Sequence, residues 1–239
     1  QTALQSYNQL AWFDGAADKV DISDNAAFDL QSFTISAWVL TSNTSGFNGI
    51  FGHYSSNKGY NLFINNDGTL RSYIGDGSSA NSLVSTATID DNKWHHCVVT
   101  YTSGARKLYI DGGIDGSDSL AVTVQFASGG ITIGEAIDAY FQGSIADVSL
   151  FNKALSQSEV NEIYNDGKAL DISTHSAYSS VIGYWRNNGL ATWTNINNAG
   201  THDGTPTSLT ETLLIPAGVD ASRDNQGFLM NRQKDTNAL

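Results

Sequence analysis

The sequence predicts an all-β fold, and three observations support this prediction. Glycine is abundant (23 residues), whereas proline occurs twice and the helix-favouring methionine once. Short runs rich in Val, Ile, Thr, Tyr, Phe and Trp recur between clusters of Gly, Asn, Asp and Ser, as is typical of strands separated by turns. All-β sandwiches can exceed about 200 residues as single domains, so the 239 residues of this chain fit one large β domain.

The first strands follow from patterns near the N-terminus. Residues 10–22 (LAWFDGAADKVDI) indicate two short strands around an Asp-Gly turn. Residues 33–41 (FTISAWVLT) carry largely apolar side chains in both alternating sets, and residues 49–55 (GIFGHYS) continue this strand. A strand that is apolar on both faces is expected to be covered on both faces, in the middle of the fold.

Two hairpins come next. Residues 60–75 (YNLFINNDGTLRSYIG) predict the first, because Asp67-Gly68 can supply the positive φ angles that a tight primed turn requires. The second consists of a strand over residues 94–102, a short turn and a returning strand over residues 107–111. Both hairpins add antiparallel pairs to the predicted fold.

One short helix is predicted after a further pair of strands at residues 131–134 and 143–152. Ser156 and Glu159 have the spacing of a capping box, in which each side chain bonds the other residue's backbone amide. Gly167 stands where a left-handed C-cap is expected, so the helix is short and lies on a sheet.

The C-terminal part of the chain changes character. Residues 181–188 (VIGYWRNN) predict a closing strand, and a polar loop follows. From Pro206 onward neither a period of two nor a period of 3.6 is sustained. We therefore predict a sandwich over residues 1–205 and an extended arm or tail over residues 206–239.

Charge and cysteine content exclude several functions. The net charge of -12 argues against sequence-independent nucleic-acid binding and against docking on an anionic membrane, since both need basic residues. No apolar run is long enough for a membrane span, so no membrane insertion is expected. Cys97 is the only cysteine, which excludes an intramolecular disulfide and a thiolate zinc cage.

Three motifs, in order, carry a family resemblance. They are residues 13–15 (FDG) with 20–22 (VDI), residues 94–96 (WHH) with 108–112 (LYIDG), and residues 141–148 (FQGSIADV) with 151–156 (FNKALS). In this combination the sequence resembles the laminin-G-like, concanavalin A-like jelly-roll family, particularly its pentraxin-like branch, over roughly residues 10–205. The resemblance implies an antiparallel jelly-roll sandwich of two sheets with one short helix.

The resemblance also bears on the two adjacent histidines. In this family the Trp-His strand and its hairpin partner belong to the scaffold, so we expect His96 to be packed and hydrogen-bonded. Consecutive strand residues point to opposite faces, and His95 and His96 therefore cannot easily chelate one metal ion.

Calcium is the metal that the chain suits best, because hard cations prefer oxygen ligands and the first turn is rich in aspartate. In the resembled family a calcium ion often bridges this turn to the strand that bears the residue matched by Asp147. We therefore expect a structural Ca²⁺ held by Asp14, Asp18 and Asp147. The alternative is that Asp14 and Asp18 are ordinary turn and surface acids.

Catalysis is not expected. Glycoside hydrolases need two carboxylates that flank the sugar, and the nearest approach to their strand motif is Glu135 with Asp138. On a regular strand these two side chains would face opposite ways, and the final glutamate of the motif is missing.

Exposed aromatic residues on loops are the candidates for ligand binding, because amphipathic rings stack on sugar faces. The candidates are Phe47, Tyr54, Tyr73 and Tyr140, with Asp138, Asn48, Asn57 and Asn81 as hydrogen-bonding partners. The alternative is that these rings belong to the large core.

The sequence thus predicts a non-catalytic recognition module for a glycan or a glycosylated surface, on a secreted or surface-displayed assembly. The alternative function is a virion structural protein whose residues 206–239 dock to neighbouring subunits. The expected location is extracellular, on a cell surface or on a virion.

Overall fold

The structure is a computed structural model, which describes residues 9–43, 45–214 and 231–234. Its strands are β1 (Gln9–Asp14), β2 (Lys19–Ile22), β3 (Phe33–Leu40), β4 (Asn48–Ser55), β5 (Lys58–Ile64), β6 (Thr69–Asp76), β7 (Ala80–Thr88), β8 (Trp94–Thr102), β9 (Ala105–Ile110), β10 (Gly113–Asp118), β11 (Ile131–Ile133), β12 (Glu135–Ala136), β13 (Ala139–Tyr140), β14 (Gln142–Phe151), β15 (Val181–Trp185), β16 (Thr205–Thr207), β17 (Glu211–Leu214) and β18 (Asn231–Lys234). The helices are α1 (Gln157–Tyr164) and short 3-10 turns at Ala26–Phe28, Asn165–Gly167, Ile172–Thr174 and Tyr178–Ser180.

The strands form two large antiparallel sheets. The nine-stranded sheet has the order β10-β9-β8-β3-β14-β1-β17-β18, with β15 also paired to β14. The seven-stranded sheet has the order β16-β2-β11-β4-β5-β6-β7, and β12 and β13 form a separate hairpin. The predicted all-β jelly-roll sandwich with one short helix is confirmed.

The main core lies between the two sheets. It joins side chains such as Phe33 and Ile35 of β3 to Leu62 of β5 and Ile74 of β6, all fully buried. Burial of this apolar surface is the main source of the sandwich's stability.

The second face of the nine-stranded sheet is also covered. Val160 and Ile163 of α1 pack there against Val98, Tyr109 and Phe151. β3 is therefore buried at every position, as the sequence predicted for a strand covered on both faces. Among the described residues, no helix packs a comparable apolar cluster onto the outer face of the seven-stranded sheet, the face that points away from the main core.

Three local predictions need correction. β4 does not continue β3; it belongs to the other sheet, where it pairs with β5 and β11. The β5–β6 hairpin is present, but of Asp67 and Gly68 only the glycine has a positive φ (81°), so the turn is not a primed one. The left-handed C-cap of α1 is Asn165, since asparagine tolerates this conformation, and Gly167 follows two residues later.

The described part of the predicted arm is paired with the sandwich. β16, which crosses the predicted boundary, pairs with β2, and β17 pairs with β1. Residues 215–230 and 235–239 lie outside the described residues. The domain division and the docking of the arm to other subunits stay predictions.

The two adjacent histidines belong to the scaffold. His96 is fully buried, its Nε2 lies 2.8 Å from Ser36 Oγ, and its ring packs against Trp38 and Tyr164 with centroid distances of 5.2 and 6.0 Å. His95 points to the other side, where its Nδ1 lies 2.7 Å from Asp111 Oδ2 and its Nε2 lies 3.0 Å from Asp91 Oδ1. The two rings therefore do not share a ligand.

His95 makes the stability of the fold depend on pH. Burial lowers the pKa of His95, but the hydrogen bonds and charges of Asp111 and Asp91 outweigh burial and raise the pKa above its usual value. The folded state then binds more protons than the unfolded state. The stabilisation is fully present below the unfolded pKa of about 6.5 and is lost as pH rises through the folded pKa.

We therefore expect the free energy of unfolding of the wild type, relative to a His95→Gln variant, to fall by about 1 kcal/mol across this range, the size of one partly exposed ion pair. Urea unfolding from about pH 6 to pH 9 measures both curves. The other four histidines are present in both proteins, so the difference isolates His95. Parallel curves would contradict the assignment.

Candidate functional site

Strand alternation gives the seven-stranded sheet two different faces. In β5 and β6, Tyr60, Leu62, Ile64, Leu70 and Ile74 belong to the core. The residues between them point to the opposite face. Together with two neighbours from the β4 region they form what we call the aromatic face, defined by Phe47, Tyr54, Asn61, Phe63, Arg71 and Tyr73.

The rings of the aromatic face form a connected series across three strands. The ring centroids of Phe47 and Phe63 lie 5.7 Å apart, those of Phe63 and Tyr73 5.1 Å apart, and those of Tyr73 and Tyr54 5.9 Å apart. Phe63 is fully buried beneath this series, whereas Phe47 is 41% exposed. The face thus presents Phe47, Tyr54 and Tyr73 at its surface, and contacts with one another and with the buried Phe63 hold these rings in place.

A buried amide lies on the same face. Asn61 is fully buried, and its Oδ1 accepts a hydrogen bond from the backbone N–H of Tyr73 at 2.8 Å. Its Nδ2 has no hydrogen-bond partner among the described residues. A buried donor without a partner is costly. This atom has no exposed surface, so a ligand on the outside of the sheet does not reach it in this conformation.

The cation of the aromatic face is Arg71. Its Cζ lies 4.8 Å from the centroid of the Tyr73 ring. Its Nε donates to Ser82 Oγ at 2.8 Å, and its Nη1 donates to Asn65 Oδ1 at 3.3 Å. The guanidinium is thereby held in a fixed orientation by uncharged partners and a ring face.

The β12–β13 hairpin flanks the aromatic face. It lies against β4, where two glycines leave room for it: a Cβ atom at Gly49 would lie 2.1 Å from the backbone N of Ala136, and one at Gly52 would lie 2.7 Å from the carbonyl O of Glu135. Ile137 and Asp138 form the hairpin turn with φ values of 53° and 60°. The left-handed conformation is unfavourable for a β-branched residue such as Ile137, so the surrounding contacts must enforce it.

This hairpin corrects the geometry that we assumed for Glu135 and Asp138. Glu135 lies in β12 and Asp138 in the tight turn that follows it, so the two do not share one regular strand, and Glu135 Oε1 accepts the backbone N–H of Asp138 at 3.1 Å. One carboxylate is therefore engaged in holding the turn.

The predicted ligand-binding residues fall into two neighbouring groups. Phe47, Tyr54 and Tyr73 belong to the aromatic face, whereas Tyr140 and Asp138 lie on the adjacent hairpin. The three predicted asparagine partners all make hydrogen bonds within the fold: Tyr54 Oη donates to Asn57, Asn81 donates to the Ile74 carbonyl, and Gln142 N–H donates to Asn48. Sugar binding by these residues stays a prediction.

The predicted calcium ligands are not brought together as one set. Asp18 Oδ2 accepts the backbone N–H of Asp14 at 2.8 Å, so these two residues share the first turn. Burial, with the nearby charge of Asp14, raises the pKa of Asp18 to about 6. Asp14 of β1 pairs with Gln142 of β14, and Gln142 precedes Asp147 by five residues along β14. The described residues contain no group of three or more His, Cys, Asp or Glu arranged to hold a metal ion. Calcium binding by Asp14, Asp18 and Asp147 stays a prediction.

Asp147 belongs instead to a buried ion network. Its side chain is 3% exposed, and its Oδ1 accepts a hydrogen bond from Tyr184 Oη at 3.1 Å and lies 3.8 Å from Arg186 Nε. Burial and the charge of Asp147 raise the pKa of Tyr184 well above its usual value, so the phenol keeps its proton. Arg186 Nη2 also lies 2.8 Å from Asp171 Oδ2. The network ties β14 and β15 to the segment after α1.

Asn61, Phe63 and Arg71 were missed from the sequence, although a signal was present. The hairpin at residues 60–75 was predicted, and Tyr60, Leu62 and Ile64 already indicate which face of it enters the core. The intervening residues then have to face outward together.

A two-sheet jelly roll is an architecture that viral capsid, lectin and cupin domains share. The chain belongs to the concanavalin A-like lectin/glucanases superfamily: the laminin G family model of that superfamily matches residues 14–161. No curated protein matches this sequence.

Solved structures share the fold. A Bacteroides ovatus protein with a proposed carbohydrate-binding role aligns with a TM-score of 0.69 and 15% identity, over 88% of this chain and 61% of its own. A heptameric SAP-like pentraxin from Limulus polyphemus aligns with a TM-score of 0.51 and 17% identity, over 68% of this chain and 84% of its own. The binding domain of botulinum neurotoxin serotype D aligns with a TM-score of 0.51 and 22% identity, over 66% of this chain and 41% of its own. At these identities the likeness concerns the fold.

Proposed function

We propose that the protein is a non-catalytic recognition module that binds a glycan on its aromatic face. The observation that carries the proposal is the connected series of Phe47, Phe63, Tyr73 and Tyr54 on the outer face of the seven-stranded sheet. Sugar rings present apolar C–H faces that pack on aromatic rings, while their hydroxyl groups need donors and acceptors at the edge. Arg71 and Ser82 supply such groups on or beside the face.

A binding role is favoured over hydrolysis by the chemistry of the same region. Hydrolysis of a glycosidic bond needs two carboxylates free to act on opposite sides of the bond. The acids nearest to the aromatic face on the hairpin are Glu135, which holds the turn, and Asp138 at its tip. The described residues also include no helix long and apolar enough to cross a membrane. We propose an extracellular or surface-displayed location for the module, where glycans are the common ligands.

We expect Tyr73→Ala to weaken glycan binding about tenfold or more, because it removes the central ring of the series. Tyr73→Phe keeps the ring and is expected to retain most of the affinity. Tyr178→Ala serves as the matched control, since this half-buried tyrosine packs against the helix side of the other sheet. Glycan-array screening followed by calorimetry on the best ligand gives the affinities, with circular dichroism to verify folding.

The screen is run once in calcium and once in chelator, which also tests the predicted structural Ca²⁺. Equal loss of binding in Tyr73→Ala and Tyr178→Ala would remove the aromatic face from the proposal. A folded wild type that binds no glycan under either condition would overturn glycan recognition as the function. The alternative, a virion structural protein that docks to other subunits through residues 206–239, would then be the better proposal.

A further inference from the structure

We propose that the glycan bound by the aromatic face carries a carboxylate, and that Arg71 is the residue that pairs with it. This inference rests on the proposed function and names the class of ligand. Its basis is the state of the Arg71 guanidinium, which is fixed in position on the face but lacks a carboxylate partner among the described residues.

The other arginines whose side chains the structure describes are both paired with aspartate. Arg106 is 1% exposed and forms a two-point ion pair with Asp118 through Nε and Nη2. Arg186 lies against Asp147 and Asp171. In a chain with a net charge of -12, carboxylates for such pairing are plentiful. Arg71 is therefore distinct in being held by Ser82, Asn65 and the Tyr73 ring, none of which carries a negative charge.

The contacts leave one end of the guanidinium available. Nε is used by Ser82 and one N–H of Nη1 is used by Asn65, so the second N–H of Nη1 and both of Nη2 have no partner in the described residues. These three N–H groups form the fork that a carboxylate accepts with both oxygens. Fixing the guanidinium in advance lowers the entropy cost of binding.

The position of Arg71 suits an acidic sugar rather than a free anion. Arg71 is directly paired in register with Phe63, and its Cζ lies 4.8 Å from the Tyr73 ring centroid. A sugar ring stacked on this series would place a ring carboxylate next to the guanidinium. Asp67, in the turn before β6, interacts electrostatically with Arg71 but forms no ion pair with it; its side chain accepts hydrogen bonds from the backbone N–H and hydroxyl of Thr69.

The net negative charge of the chain limits which acidic glycans we expect it to bind. A net charge of -12 repels highly charged polyanions at long range. We therefore expect recognition of one well-placed carboxylate by a local contact, with a modest dependence on salt.

The test compares acidic oligosaccharides with carboxyl-reduced forms of the same oligosaccharides, which differ only by CH₂OH in place of COO⁻. Uronate-containing and sialate-containing glycans are both included, with sulfated neutral glycans as a third arm. We expect the full-length wild type to bind an acidic form about ten- to a hundredfold more tightly than its reduced counterpart, as a charge-assisted pair predicts.

Arg71→Gln is expected to bring this ratio of affinities close to one, and Arg71→Lys to restore it only in part, because an ammonium group lacks the planar fork. Lys107→Gln, which removes one positive charge from the other sheet, is the matched control and should keep the wild-type ratio. Equal affinity for acidic and reduced forms, an unchanged ratio in Arg71→Gln, or preference for sulfated glycans would each overturn the inference while leaving glycan binding intact. Absence of binding to every glycan would instead overturn the proposed function.

Discussion

Replacing Arg186 by methionine is expected to lower the free energy of unfolding by about 3–5 kcal/mol, because it removes a cation that lies against the buried carboxylate of Asp147. Asp147 is 3% exposed and Arg186 is 11% exposed, so neither group can recover its hydration in the folded state. Tyr184 Oη still donates to Asp147, but a neutral donor does not replace a positive charge. Urea unfolding followed by fluorescence and circular dichroism measures the change.

The same substitution at Arg71 is the matched control. Arg71→Met removes an arginine that lies half-buried on a sheet face and has no carboxylate partner in the described residues. We expect it to cost about 1 kcal/mol or less. If both variants lost the same free energy, the large effect could not be assigned to the loss of the Arg186 charge beside Asp147.

A second variant separates charge from packing. Asn can occupy the left-handed backbone conformation of Asp147, where φ is 47°, and it carries no charge. Asp147→Asn in the Arg186→Met background is therefore expected to recover a large part of the lost stability. A double variant no more stable than Arg186→Met would show that the guanidinium acts through its packing instead.

This network illustrates what the sequence could not reveal. Asp147 lies on a strand, yet the ladder between β14 and β3 shifts register between Ala146 and Ser149. A bulge of this kind changes the direction of the side chain, so alternation along the strand does not predict its partner. The family resemblance placed Asp147 on the correct strand but could not show that Arg186, 39 positions away, neutralises it.

Strands were predictable where local pattern and burial agree. β3, β5, β6 and β8 carry dense apolar or aromatic residues, and all were predicted, as was the capping box of α1. β7 and β10 were missed, since ANSLVSTAT and GIDGSD contain few large apolar residues. These two segments are strands because neighbours pair with them, and pairing between distant segments is not encoded in a short window.

The aromatic face shows the same limit in the candidate site. Tyr54 and Tyr73 were predicted from residue type, but the contact between them depends on β5 lying between β4 and β6. That no described acid forms an ion pair with Arg71 is a property of the folded surface and has no signature in the sequence. Residue types could therefore indicate which side chains are able to bind a ligand, whereas the order of strands in the sheet determines which of these side chains lie next to one another.

The position of the β12–β13 hairpin leads to the second large expected effect. Gly49→Ala would place a Cβ atom 2.1 Å from the backbone N of Ala136 and 2.4 Å from the carbonyl O of Ala139. These atoms belong to both arms of the hairpin, so no side-chain rotation can relieve the overlap. We expect a loss of about 3 kcal/mol or more in the free energy of unfolding, or separation of the hairpin from β4.

Gly113→Ala is the matched control, because a Cβ atom there meets only the carbonyl O of Ile110 at 3.5 Å, an ordinary contact. Urea unfolding measures the stability of both variants, and proteolysis reports exposure of residues 135–140. A Gly49→Ala protein as stable and as protease-resistant as Gly113→Ala would contradict the close approach. If the hairpin separates while the sandwich remains folded, Tyr140 and Asp138 leave the edge of the aromatic face. Glycan affinity in that variant would then show whether the hairpin contributes to recognition or only covers β4.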